Sequence, residues 1–267
     1  ALVRHKKGRN CDLFILRASV KFSVQIFIAA FVLTDSDLLL TNAYGLFGIF
    51  QMTPLFSWVV SMLFLLVFMN MFNLIDGIDG LASGVGLVSL VFLSATFSMA
   101  ESSSLIAFSS GLLGILLVIF CKNYMPGKMY LGDSGALTLG FIVGILTLKN
   151  LSISNITFPI VNYIEYGPVY ACVLFWYPLM DLVRVFILRI YRRRSPFSPD
   201  REHFHLRMVD KGYSHFITAF VIIMMTLCFE LLAYCLSRFM GVNVLFFSMF
   251  FLASILSHLV FLKTYNE

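Results

Sequence analysis

Eight stretches of 15 to 22 mostly apolar residues follow one another along the chain, near 13–33, 53–72, 81–99, 105–121, 134–148, 169–190, 216–237 and 244–263. A hydrocarbon core of about 30 Å needs about 20 such residues in a helix. Backbone groups facing lipid must be satisfied internally, and nothing alternates with the period of a barrel strand, so each stretch is read as a helix. The expectation is an all-α polytopic integral membrane protein with about eight transmembrane helices. Composition agrees: the 267 residues are 60% apolar and 12% charged, with 29 Phe and a mean hydropathy of +0.91, which excludes an ordinary water-soluble domain. No repeat, signal peptide, low-complexity segment or soluble domain stands out, so residues 1–267 are read as a single membrane-embedded domain.

The five cysteines, Cys11, Cys121, Cys172, Cys228 and Cys235, mostly lie inside apolar runs and never in a C-x-x-C spacing. Neither a disulfide framework nor a thiolate zinc site is expected. Arg17 and Lys21 fall in the first stretch and are read as side chains that snorkel to the interface. When the spans alternate sides, one side collects Arg4, Lys6, Lys7, Arg9, Lys122, Lys128, the basic run from Arg189 to Lys211, and Lys263. The other receives little beyond Lys149 and Arg238. The positive-inside rule then puts both termini in the cytoplasm, and with them the segments 73–80, 121–133 and 191–215.

Those three segments hold the polar residues that a membrane chain can least accommodate. In "NMFNLIDGIDG", Asn70, Asn73, Asp76 and Asp79 recur every third residue and would share a face if the second helix continued through them. Gly77 and Gly80 permit a break and a close approach of the backbone. The bland alternative is a helix end with Asp as a cap. In "CKNYMPGKMYLGDSGALTLGF", Asp133 suits an N-cap when taken alone, but a carboxylate is also the natural ligand for Mg²⁺, which binds through one or two protein oxygens plus substrate phosphates. Asn123, Lys128 and Tyr130 would supply an amide, a phosphate-binding cation and a stacking ring. In "RRRSPFSPDREHFHLRMVDKGYS", the arginines 192–194 read as a topological anchor, whereas Arg201, His203 and His205 suit a phosphate clamp better than a zinc pair without further ligands.

Asp181 and Arg184 lie three apart in the sixth stretch and read as a structural ion pair, with functional coupling as the alternative; Glu230 lies deep in the seventh without an evident partner. His215 reads as structural. A transporter would set its polar site at mid-membrane between related repeats, but here the polar clusters gather on one face and no repeat is evident.

The segments "NMFNLIDGIDGLASG", "NYMPGKMYLGDSGALTLGF" and "SPFSPDREHFH" resemble, in order and separation, the hallmarks of the polyprenyl-phosphate N-acetylhexosamine-1-phosphate transferases. The last is similar to its form in the WecA-like branch that uses UDP-GlcNAc. The resemblance implies transfer of an N-acetylhexosamine-1-phosphate, GlcNAc-1-phosphate above all, from a UDP-sugar to polyprenyl phosphate with release of UMP. That reaction is the first membrane step of cell-surface glycan synthesis, in the bacterial inner membrane. It further implies Mg²⁺, with Mn²⁺ as the other ion, held by Asp133. Asp12, Asp76, Asp79, His203 and His205 take catalytic positions, and Asn70, Asn73, Asn123, Lys128, Tyr130 and Arg201 substrate-binding ones. The expected partners are the two substrates and the membrane; no nucleic acid is expected, and a homodimer is the assembly considered.

The sequence departs from the family in three places. Counting back from Gln25, an Asp-Asp pair of the family falls on Cys11 and Asp12, so one carboxylate is a thiol here. Leu206 replaces a final His. The family also has further spans ahead of this point, which makes the chain correspond to a C-terminal part and leaves an inactive or partial member as the alternative. A phosphate monoester has its second pKa at about 6, so the lipid phosphate is largely dianionic at pH 7 and hardly needs a general base.

Overall fold

The computed structural model describes residues 18–126, 129–153, 163–193 and 203–262. Its long elements are α1 (Ala18–Val32), α2 (Pro54–Ile75), α3 (Leu81–Met99), α4 (Ser103–Tyr124), α5 (Gly132–Ser152), α6 (Tyr163–Leu174), α7 (Trp176–Tyr191), α9 (His215–Leu236) and α10 (Val242–Leu262), with the short α8 (Phe204–Asp210) between α7 and α9. Each expected stretch falls on one of these helices or, in one case, on a pair. Five of them, α2, α3, α4, α5 and α9, are long and apolar enough to cross a membrane. α6 and α7 are long and apolar enough only as a pair, which is the geometry of a broken span or of a re-entrant loop, while α1 and α10 qualify as shorter apolar helices among the described residues. The protein is therefore an all-α polytopic membrane protein, and among the described residues five helices, or six spans if the bent pair counts as one, are long and apolar enough to cross a membrane.

The sixth stretch breaks where its sequence requires it. Pro178 has no N–H to give the Leu174 carbonyl, and its ring would collide with that carbonyl in a continuous helix. The chain bends by 69° there, with Phe175 outside helical geometry at φ −108°, ψ 22°. Elsewhere the ends follow local chemistry. Pro54 opens α2 at a position where no N–H is needed, and the Ser214 hydroxyl caps α9 by accepting the Ile217 amide at 3.2 Å.

α2 packs on α5 and α3 on α4. At the first crossing, a Cβ on Gly140 would lie 2.9 Å from the Met69 Cα and one on Gly144 3.1 Å from the Phe68 Cβ, so small residues let the two backbones close up. Phe68, Met71, Phe72, Ile75, Leu81, Leu139 and Val143 fill the core around this crossing. The opposite character rules α4, whose Phe108, Ile115, Leu117 and Val118 are exposed and suited to lipid. The α2–α5 crossing also sets where the two helix ends stand: the C-terminus of α2 and the N-terminus of α5 emerge together at one end of the bundle.

Candidate active site

α2 does not continue through the polar pattern. It ends at Ile75 with Asp76 as its C-cap, and residues 76–80 form a turn that leads into α3. The expected single helical face of Asn70, Asn73, Asp76 and Asp79 is thus corrected, because Gly80 adopts φ +80° and starts α3 from a left-handed cap. Asn70 remains inside α2, where its Nδ2 donates to Gln25 Oε1 at 2.8 Å and to the Leu66 carbonyl at 2.7 Å. Asn73 is half-buried one turn further on.

The turn is held from two other segments. The Gly80 amide donates to Asn123 Oδ1 at 2.8 Å, and the Tyr124 hydroxyl donates to the Asp79 carbonyl at 2.7 Å. The Asn123 side-chain amide donates in turn to the Met129 carbonyl, so one asparagine bridges the turn and the strand of chain that leads to α5. Asn123 is buried, whereas Tyr130 is 56% exposed and free to offer its ring.

Asp133 lies in the first turn of α5, but it does not cap that helix: Leu131 occupies the cap position and no side chain accepts there. Its Oδ2 instead meets the Lys21 ammonium at 2.6 Å. Lys21, read from sequence as a snorkelling anchor, belongs to the site. Asp76 is close enough to Asp133 and Asp79 to respond to their charges. Burial above all, then the Asp133 carboxylate and more weakly that of Asp79, push its pKa up to about 7, against a hydrogen bond from the Gly132 backbone. Three carboxylates therefore converge at the ends of α2 and α5.

The third segment closes on the same turn. His203 precedes α8 and His205 lies in its first turn, and their rings stack at 5.7 Å with 19° between planes. His205 is fully buried; its Nδ1 meets the Tyr177 hydroxyl at 2.7 Å, and its Nε2 would lie 2.9 Å from a Cβ on Gly77. Gly77 is thus the residue against which the histidine packs. Burial pushes the His205 pKa down to about 4 against the opposing Asp181 carboxylate, so the ring is neutral at pH 7. His203 Nδ1 meets Asp181 Oδ2 at 2.8 Å. His215, read as structural, faces the site: its Nδ1 is 3.4 Å from Asp79 Oδ2 and accepts the Asp79 amide at 3.3 Å.

The structure therefore joins 73–80, 121–126, 129–133 and 203–215 at one end of the bundle, as the charge count implied. Asp12, Lys128 and Arg201, like Cys11, lie outside the described residues. Tyr177, Tyr124, Lys21 and the double role of Asp181 went unread in the sequence; of these, only the Asp181–Arg184 spacing carried a signal, and that pair is present at 2.8 Å. Among the described residues no group of three or more His, Cys, Asp or Glu side chains is gathered as a ready metal cage. Asp76 and Asp133 remain as two neighbouring carboxylates, and Mg²⁺ needs only one or two protein oxygens when substrate phosphates and water complete its shell. Stacked imidazoles beside these carboxylates suit phosphates, whose spread negative charge takes donors and cations.

A family model described as glycosyl transferase family 4 matches residues 9–150. A probable undecaprenyl-phosphate N-acetylglucosaminyl 1-phosphate transferase of Bacillus subtilis (strain 168) is 27% identical over 227 residues, covering 83% of this chain and 60% of the relative. The undecaprenyl-phosphate alpha-N-acetylglucosaminyl 1-phosphate transferase of Escherichia coli (strain K12) is 26% identical over 263 residues, 86% of this chain and 69% of its own. The protein of the same description from Yersinia pestis is 29% identical over 232 residues, at 85% and 60% coverage. The chain thus spans 60% to 69% of the length of these relatives.

Proposed function

The chain belongs to glycosyl transferase family 4, and from that membership we propose that it transfers GlcNAc-1-phosphate from UDP-GlcNAc to a polyprenyl phosphate. An oxygen of the lipid phosphate attacks the sugar-linked phosphorus, the bond from that phosphorus to the bridging oxygen breaks, and UMP leaves. The reaction joins a soluble donor to a membrane-held acceptor, so its site belongs where a bundle end meets water, with the cytoplasmic face of the bacterial inner membrane as the side that holds UDP-sugars.

The observation that carries this reading is the meeting of Asp76, Asp79 and Asp133 with the His203–His205 stack across the Gly77 turn. Asp133 and Asp76 are the residues that would hold Mg²⁺, or Mn²⁺ in its place. The fit is electrostatic: burial first and the Asp133 carboxylate second push Asp76 up to about 7, and a divalent cation relieves the repulsion between the two carboxylates. When bound, the ion would neutralise charge that builds on the phosphates. Lys21 lies against Asp133 and is placed to share that load. His203 takes the phosphates from the opposite side, with buried His205 stacked behind it and packed against Gly77, and Arg201, outside the described residues, belongs to the same basic segment. Phosphoryl transfer asks mainly for positioning and for fixed opposite charge, which these groups provide.

The test is transfer of labelled sugar phosphate from UDP-GlcNAc to polyprenyl phosphate by membranes that contain this chain, with and without Mg²⁺, beside an Asp133→Asn control. Metal-dependent lipid product that disappears in the control supports the proposal. An inserted, folded chain that makes none overturns it in favour of a non-catalytic family member.

A further inference from the structure

Asp181 is 5% exposed, sits in α7 just beyond the bend, and is surrounded by donors. Its Oδ1 accepts from Arg184 Nη2 at 2.8 Å and from the Phe204 backbone amide at 3.1 Å, while its Oδ2 meets His203 Nδ1 at 2.8 Å. One carboxylate therefore grips both the side chain of His203 and the first amide of α8. A merely structural ion pair would need only Arg184, which lies on the same helix one turn away. The other two contacts reach 22 and 23 residues along the chain, to the segment that carries the histidines.

From this geometry we infer that Asp181 is a positioning residue for the transfer proposed above, on which the inference rests: it orients His203 so that Nε2 is the nitrogen presented to phosphate. A carboxylate that accepts from Nδ1–H fixes the tautomer and the plane of an imidazole. The stack of His203 on His205 passes that orientation to the second ring, which the Tyr177 hydroxyl, also from α7, secures through its own Nδ1. Arg184 holds Asp181 Oδ1 from one turn along the same helix at 2.8 Å. The bent α7 thereby serves as the base plate for the histidine segment. Its sequence signal is weak, since Asp181 and His203 are far apart along the chain and only their spacing in the fold connects them.

Two measurements on the full chain in membranes test this. In the first, the transfer rate is compared for wild type, Asp181→Ala, Asp181→Glu, His203→Ala and the double variant Asp181→Ala/His203→Ala. Loss of an orienting partner should lower kcat by about 10-fold, with a smaller change in KM for UDP-GlcNAc. Asp181→Glu should restore part of the rate, and the double variant should be no slower than His203→Ala alone. Multiplying losses, or wild-type kcat in Asp181→Ala, overturn the inference.

The second readout needs no activity: the rate at which diethyl pyrocarbonate modifies each histidine, resolved by peptide mass spectrometry. Asp181→Ala should speed modification of His203 several-fold and leave half-exposed His215 unchanged, with His205 still protected by its burial and by Tyr177. Modification of His203 at the wild-type rate overturns the positioning role, and equal acceleration at His205 reassigns Asp181 to general folding. If wild type makes no lipid product while His203 responds to Asp181, the transferase reading fails and the positioning contact stands.

Discussion

Asn123 at the end of α4 accepts the amide hydrogen of Gly80 at 2.8 Å, and so ties the helix preceding the Asp133 segment to the turn that carries Asp76 and Asp79. Asn123→Ala leaves the Gly80 amide buried without a partner, which costs about 1–3 kcal/mol. Asn123→Asp keeps an acceptor. Thermal melting of the detergent-solubilised protein should rank wild type above the Asp variant and the Asp variant above the Ala variant, with transfer activity in the same order. An Ala variant as stable as wild type would show that this bond does not hold the turn.

The glycines of that turn are constrained for different reasons. Gly80 has φ +80° and the Tyr124 hydroxyl beside it, so Gly80→Ala meets both backbone strain of about 1–2 kcal/mol and a steric conflict. A Cβ on Gly77 would crowd the His205 ring at 2.9 Å and touch Leu206 Cδ2 at an ordinary 3.6 Å. Gly77→Ala should therefore leave a folded protein with impaired transfer, whereas Gly80→Ala should lower the melting temperature as well. Yield of monodisperse protein together with turnover separates the two.

Asp133 and Lys21 are 56% and 35% exposed in their side chains, so their contact adds no more than about 0.2–1 kcal/mol to stability. Asp133→Asn is expected to melt close to wild type yet lose Mg²⁺-dependent transfer. A metal titration of the rate checks this, and unchanged turnover would remove Asp133 from the metal role.

Asp76 gives the site a pH signature. Its folded value of about 7 lies above the ordinary carboxylate value, owing to burial first and the Asp133 charge second, so the folded chain holds this proton more tightly than the unfolded one. The stability this contributes is complete below about pH 4 and is lost as pH rises through 7. Asp76→Asn should therefore melt higher than wild type at pH 8, by a margin that shrinks toward pH 4. Added Mg²⁺ at pH 8 should raise the wild-type melting temperature more than that of Asp76→Asn. A margin that does not vary with pH would contradict this.

Much of the architecture was legible in apolar runs, because burial in lipid leaves each run few choices but helix. The break at Phe175 was written in Pro178 and went unread there, since hydropathy averages over a proline. The Lys and Arg distribution brought the three polar segments to one face without any contact information. What spacing could not reveal were cross-chain partners: Tyr124 on Asp79, Tyr177 on His205 and Asp181 on His203 depend on helix packing, not on local pattern. The helical period also misled at Asp79, where the chain had already turned, because a run of every-third polar residues reads alike in a helix and across its end.

The close crossing of α2 and α5 makes the membrane interior a fulcrum for the carboxylates outside it. Gly140 lies eight residues into α5 from Gly132, an arm of about 12 Å. A tilt of about 5° about that point swings the end of the arm by about 1 Å, and a misplacement of that size costs about 100-fold in a positioned reaction. Helix tilt answers to hydrocarbon thickness. The spacing between Asp76 and Asp133 therefore depends on the angle at this crossing, and acyl-chain length is a variable to which the proposed transfer should respond.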